Sequence, residues 1–248
     1  MIIHKSKLYR DPYPHLIINN FIPTKFLAPI IEEYDKLLKH SDNWKTYDNP
    51  IEKKKSFNCI QETVYLQELI KYVGDQSMLN ELKEKFGLED DIELDTNLYG
   101  AGYHNHSYGG YLSTHLDYEI NPNTKKKRWL NLIIYINTDW KTEYNGDTEL
   151  WNKDCSVCEK RIYPEFNKAL IFKTDGESWH GVSREIKCQQ QNSRKTIAFY
   201  FVSKRLYEIH SDSRLKATFF NPKYPQLCII RSTRLLTQDD VDTSDSSM

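Results

Sequence analysis

Along the first ninety residues apolar side chains recur at three- and four-residue intervals, the period of a helix with one buried face. Over 24–40 the series Phe26, Ile30, Tyr34, Leu37 and Leu38 predicts a helix, with Thr24 as its N-cap. A second helix is predicted over 61–73, where Leu66, Leu69, Ile70 and Val73 share a side. A third, over 77–86, stops at Gly87, a usual C-terminal breaker. From residue 92 the pattern shortens to β-type segments over 92–99, 110–118, 129–137, 148–151, 169–173 and 195–203. Turn-forming clusters separate them, among them Asn121-Pro122-Asn123 and Asn145-Gly146-Asp147. Short strands behind a set of helices predict a mostly β chain, a sandwich or jelly roll flanked by an N-terminal helical block.

No compositional shift marks a linker, so a single domain is expected over 1–238. It divides into helical support at about 12–90, a β core at about 92–203 and a C-terminal extension over 204–238. Residues 239–248, rich in Asp and Ser, read as a disordered tail.

With 248 residues the chain can bury a sizeable core. Lys and Arg number 34 against 35 Asp and Glu, and without a basic excess no nucleic-acid partner is expected. The 17 tyrosines favour strands and a hydroxyl-lined pocket. Residues 1–9 lack the apolar core of a signal peptide, and the best apolar run, 130–136, is strand-sized, so no membrane span is expected. Five irregularly spaced cysteines argue against a disulfide framework, and the expected setting is soluble and cytoplasmic. Cys155-x-x-Cys158 has no two further ligands nearby and reads as a pair of free thiols in a surface loop. The run Lys125 to Arg128 reads as a solvated turn, and His104 and His106 as loop histidines.

Candidate chemistry starts at His115-Leu116-Asp117. In a strand, side chains two apart face the same way, so His115 and Asp117 offer an imidazole nitrogen and a carboxylate oxygen side by side. A third ligand from elsewhere would complete a facial set that leaves coordination positions open, the arrangement of non-haem Fe(II) oxygenases. His180, followed by Gly181, is the best third ligand. Fourteen residues on, Arg194 opens a strand, with Thr196 on the same face; a guanidinium there can fork onto a distal carboxylate. Taken alone, His-x-Asp and His-Gly are commonly surface or packing residues. The order His-x-Asp, β-rich stretch, His, Arg-x-Thr is much more specific.

That order, with the words around it, resembles the prolyl 4-hydroxylase-like family of the Fe(II)/2-oxoglutarate-dependent dioxygenase superfamily. Matching stretches are Gly-Gly-Tyr-Leu-Ser-Thr-His-Leu-Asp at 109–117, then 128–140, 145–151, 162–172, Trp179-His180-Gly181 and 194–200. The lead-in at 12–21 is similar too, so the likeness spans about 12–203. The resemblance implies a double-stranded β-helix in which His115, Asp117 and His180 are the catalytic ligands of Fe(II). It implies Arg194 on the far carboxylate of 2-oxoglutarate, with Tyr135, Thr196 and His104 as further co-substrate contacts. Dioxygen is the other co-substrate and ascorbate a reductant. The implied reaction is hydroxylation of a C–H bond, with release of succinate and carbon dioxide, on a prolyl residue of a protein or peptide. Hydroxylation of a small metabolite or carbohydrate-linked group, or a non-catalytic jelly-roll binding module, are the alternatives. The chain departs from the family at 145–147, where Asn-Gly-Asp replaces the common Gly-Gly.

Overall fold

A computed structural model describes residues 2–220 and the backbone of 229–230. In chain order the elements are α1 (Ile2–Lys5), β1 (Leu8–Tyr9), β2 (His15–Ile18), α2 (Thr24–His40), β3 (Lys45–Asn49), β4 (Glu52–Phe57), α3 (Tyr65–Val73) and α4 (Gln76–Phe86). There follow β5 (Ile92–Leu94), β6 (Gly102–His106), β7 (Tyr111–Leu116), β8 (Lys126–Tyr135), β9 (Thr148–Trp151), β10 (Cys158–Ile162) and β11 (Ala169–Lys173). The last are β12 (His180–Val182), β13 (Arg194–Leu206), β14 (Thr218–Phe219) and β15 (Ile229–Ile230).

The three helices expected from the apolar period are present. Helix α2 buries Ile30, Tyr34 and Leu37, and α3 buries Leu66, Leu69, Ile70 and Val73. Helix α4 starts where Asp75 accepts from the Ser77 amide and ends at Gly87, left-handed at φ 60°. Thr24 is not a cap but the first helical residue; Pro23 holds the cap position, its carbonyl accepting from the Phe26 amide. Nor is the N-terminal region all helix. Strand β2 and the hairpin β3–β4 interrupt it, and Glu-Lys-Lys-Lys-Ser-Phe at β4 shows no apolar alternation that would announce a strand.

The strands form one curled sheet in the order β1-β2-β11-β8-β13-β6-β4-β7-β12-β9-β10, antiparallel at each step. The sheet closes over itself: Phe172 on β11 meets His180 on β12 edge-on at 4.6 Å, and the Tyr135 hydroxyl on β8 donates to Thr148 on β9. This is a mostly β jelly roll, a double-stranded β-helix with flanking helices.

Alternation decides which side chains reach the interior. On β13, Ile197, Phe199 and Phe201 join the helix-packed core, while Arg194, Thr196 and Ala198 line a cavity between the two layers. On β8, Leu132 and Ile134 pack outward, and Asn131 and Ile133 face that cavity. Both faces are buried, so these strands read as near-continuous apolar runs.

Among the described residues no helix is long and apolar enough to cross a membrane. The tail expected over 239–248 lies outside the described residues, as does most of 221–238.

Gly102 opens β6 at φ +95°, and a Cβ there would stand 2.2 Å from the Phe57 carbonyl oxygen. Gly102→Ala should cost about 3 kcal/mol, a fall in Tm of roughly 6–12 °C by thermal denaturation. An unchanged Tm would show that β6 and β4 can separate freely at that point.

Candidate metal centre and cavity

Strand β7 carries His115 near its end, and Asp117 follows the last strand residue. Strand β12 begins at His180, paired in register with His115. Gly181 permits this contact, since an added Cβ would stand 2.9 Å from the Thr114 Cα. One ligand atom from each of His115, Asp117 and His180 lies within 4.8 Å of the others. All three residues are buried, and among the described residues no other His, Cys, Asp or Glu cluster of this kind occurs.

The rings are oriented before any ion arrives. Nδ1 of His115 lies 2.9 Å from the Ser113 carbonyl, and Nδ1 of His180 lies 2.9 Å from the Ser178 carbonyl. A carbonyl only accepts, so each Nδ1 must carry the hydrogen and each Nε2 keeps a free lone pair. Those Nε2 atoms are 3.6 Å and 3.8 Å from the Asp117 carboxylate oxygens. Phe219 stacks on His115 and Phe172 packs on the edge of His180, fixing both rings. Burial, and then the neighbouring His115 ring, push the His180 pKa down to about 4, so this ring is neutral and able to ligate at neutral pH. Two imidazole nitrogens and one carboxylate suit a divalent first-row metal.

Burial alone would raise the Asp117 carboxyl, but Arg128, with His115 and His180, holds it well below the usual carboxylate range. Arg128 is the residue that sequence reading missed. Far from a solvated turn, its side chain is 1 % exposed, with Nη1 3.0 Å from Asp117 Oδ2. Its guanidinium lies between the Tyr118 and Tyr200 rings, at 3.5 and 3.3 Å from their centroids. Asn131 donates to the same Oδ2 at 3.0 Å. Oδ2 is thereby occupied, which leaves Oδ1 as the oxygen with capacity to spare.

Removing Arg128 unpairs a buried carboxylate, which typically costs about 3–5 kcal/mol. Arg128→Leu should therefore lower the Tm of the metal-free protein by roughly 6–20 °C. Added Mn(II) should recover more of that loss than it adds to the wild type, because the ion supplies the missing positive charge. Equal metal-induced shifts in both proteins would count against the shared carboxylate.

A cavity of about 780 Å³ runs from the triad to Arg194 and is lined also by Thr148, Thr196 and His104. Arg194 is 2 % exposed, donates from Nε to the Gly146 carbonyl at 2.6 Å and from Nη2 to Thr148 Oγ1 at 2.9 Å. Burial lowers its pKa, yet a guanidinium stays charged. Its hydrogen-bond partners are thus neutral, and a desolvated cation held by neutral acceptors is a seat for an anion. Tyr135, fully buried, donates its hydroxyl to Thr148 at 2.7 Å, and burial pushes its pKa up to about 12. Thr196 is the cross-strand neighbour of both Tyr135 and His104. The turn at 145–147 serves this end of the cavity, Gly146 holding Arg194 while Asp147 pairs with Arg184.

His104 and His106 are not loop residues: both lie on β6 and line the cavity. Residues 46–49, 51 and 52 of the β3–β4 hairpin and 215–217 line it too; the hairpin was not legible as part of the site. Neither Cys155 nor Cys158 forms a disulfide, and Cys155 is buried rather than exposed.

Residues 101–202 match the family profile described as the 2OG-Fe(II) oxygenase superfamily. Among solved structures the fold is similar to a prolyl-4-hydroxylase from Pseudomonas putida, with TM-score 0.58 and 14 % identity over 77 % of this chain and 93 % of that one. It is similar to a prolyl hydroxylase from Trichoplax adhaerens, solved with a hypoxia inducible factor peptide fragment, with TM-score 0.57 and 18 % identity over 77 % and 84 %. HygX from Streptomyces hygroscopicus, with nickel and 2-oxoglutarate bound, aligns with TM-score 0.53 and 10 % identity over 79 % and 85 %. A search of curated proteins returns no significant match.

Proposed function

We propose that this chain, whose residues 101–202 carry the 2OG-Fe(II) oxygenase superfamily pattern, is an Fe(II)- and 2-oxoglutarate-dependent dioxygenase that hydroxylates a C–H bond. The observation that carries the reading is the pairing of two features in one cavity: a buried set of two imidazoles and a carboxylate, and a buried guanidinium with neutral partners. The first is a seat for a divalent metal and the second for the far carboxylate of a dicarboxylate.

In this reading His115, Asp117 and His180 would hold Fe(II), and with only three protein donors the ion would stay reactive toward 2-oxoglutarate and dioxygen. When bound, the iron couples oxidative decarboxylation of 2-oxoglutarate to succinate with oxidation of the substrate C–H bond. The residues orient and exclude water. Arg194 pairs the distal carboxylate, with Tyr135 and Thr196 beside it, and Arg128 and Asn131 fix the second oxygen of Asp117. The apolar walls Ile133, Leu112 and Val182 keep water from the reacting centre.

For the substrate we favour a prolyl residue of a protein or peptide, because prolyl hydroxylases stand among the similar folds. A small molecule is the second reading, favoured by the likeness to HygX, which was also solved with hygromycin B. Iron-dependent succinate release, measured with panels of proline-containing peptides and of metabolites, separates them. Stimulation by peptides alone supports the prolyl reading and stimulation by metabolites alone overturns it. Stoichiometric binding of metal and 2-oxoglutarate with no stimulated or basal turnover would point to a binding module. Ascorbate enters the same assay as an added reductant, expected to sustain turnover.

A further inference from the structure

The Arg194 end of the cavity holds a residue that the proposed function does not use. His106 is 1 % exposed, lines the cavity, and neither ring nitrogen has a hydrogen-bond partner among the described residues. A neutral imidazole has one donor and one acceptor, and burying both unpaired is unfavourable unless something arrives to meet them.

Its surroundings say what that is. On β13 the Cα partner of His106 is Arg194, and on the other side of β6 lies β4, with Lys54 facing the cavity. His104, two residues back on the same face, is the neighbour of Thr196 and Ser56. The charged groups around the ring are therefore Lys54 and Arg194, with Glu52 as the nearby carboxylate, paired to Lys54 at 3.3 Å. Burial, then Arg194 and Lys54, hold the His106 pKa well below that of a free histidine, so the ring is neutral and carries one N–H. Arg194 and Lys54 outnumber the one carboxylate, Glu52, so the surroundings of the histidine pair repel a metal ion and attract an anion. A second metal site at His104 and His106 is thus disfavoured, and a carboxylate is favoured.

We propose that His106 is a co-substrate-binding residue whose ring N–H donates to the carboxylate that Arg194 pairs. This rests on the 2-oxoglutarate reading above. The orphaned donor is what the site gives up in the empty protein so that the dicarboxylate is held from two strands, β13 and β6.

The test is calorimetric titration of 2-oxoglutarate into Mn(II)-loaded protein without oxygen, together with thermal melts of the metal- and ligand-free protein. His106→Leu keeps a buried volume and removes both orphaned nitrogens. It should weaken the 2-oxoglutarate Kd by about 10–100-fold, the range for a hydrogen bond to a charged group. The same substitution should raise the Tm of the empty protein by about 2–4 °C, since it deletes unpaired polar atoms. His106→Gln, which retains an N–H donor, should recover part of the affinity. In the wild type, a ring ¹⁵N resonance absent from His106→Leu should shift on adding 2-oxoglutarate. An unchanged Kd in His106→Leu, with 2-oxoglutarate binding intact in the wild type, overturns the His106 proposal alone. A lowered Tm with an unchanged Kd would make the residue structural. Wild-type protein that binds Mn(II) but not 2-oxoglutarate overturns the underlying reading, and His106 with it.

Discussion

His180→Ala is expected to abolish iron-dependent succinate release, a fall of about 10³-fold or more, equivalent to roughly 4 kcal/mol at 1.36 kcal/mol per tenfold. The ring supplies one of three donors within 4.8 Å of one another, and its Nδ1 bond to Ser178 points Nε2 at the others. With two donors left, the remaining pair no longer defines one face of the ion. Asp117→Ala should be equally inactive but for a mixed reason. It also strands Arg128, buried between two tyrosines with Asp117 as its ion-pair partner, at a cost of about 3–5 kcal/mol of stability. The two variants therefore divide: His180→Ala should lose metal binding while melting near the wild type, and Asp117→Ala should lose both. Asp117→Asn keeps the shape and a partial acceptor for Arg128 and should melt between them. Wild-type turnover in both His180→Ala and Asp117→Ala would sink the assignment of these residues as iron ligands.

Much of this site was legible because its parts follow simple periods. Helix α2 begins and ends at the residues that its apolar stripe indicated, and β9 and β11 match their expected bounds. The alternation that puts His115 and Asp117 together is a property of any strand, and so is the one that puts Arg194 and Thr196 on one wall. Arg128 was hidden for a structural reason. It shares parity with Leu130, yet Arg128 faces the cavity and Leu130 the helix-packed core. A register shift on β13 between Phe201 and Val202, opposite Leu130 and Arg128, breaks the alternation there. A run of three lysines then disguised the one cation in it that is buried.

The β3–β4 hairpin and β6 were missed for the opposite reason: their inward residues are polar. Glu52, Lys54, Ser56, His104 and His106 face a cavity rather than a core, and apolar alternation carries no signal for a strand that lines a polar pocket. The same cause explains why His104 and His106, expected in a loop, stand on strand β6. Apolar alternation finds strands that pack on the hydrophobic core, and it passes over strands whose inward residues are polar.

Arg194→Ala should leave the metal in place and remove its co-substrate. The triad touches none of the atoms deleted, so Mn(II) affinity is expected to change little. The 2-oxoglutarate Kd should weaken by about 30–5000-fold, the 2–5 kcal/mol typical of truncating one side of a buried, hydrogen-bonded charge pair. The loss is this large because burial has already stripped Arg194 of water, Gly146 and Thr148 give it neutral acceptors, and Asp147, the carboxylate whose charge reaches it, is itself paired with Arg184. An arriving carboxylate supplies the missing charge without a further desolvation cost on the protein side. Arg194→Lys retains the charge but not the planar fork, so it cannot serve Gly146, Thr148 and a carboxylate together, and it should recover only part of the affinity. Tyr135→Phe removes a hydroxyl that donates to Thr148, not a charge, and should cost less than either Arg194 variant. Calorimetry on the Mn(II)-loaded proteins reads all three, and a wild-type 2-oxoglutarate Kd in Arg194→Ala would take this arginine out of the site.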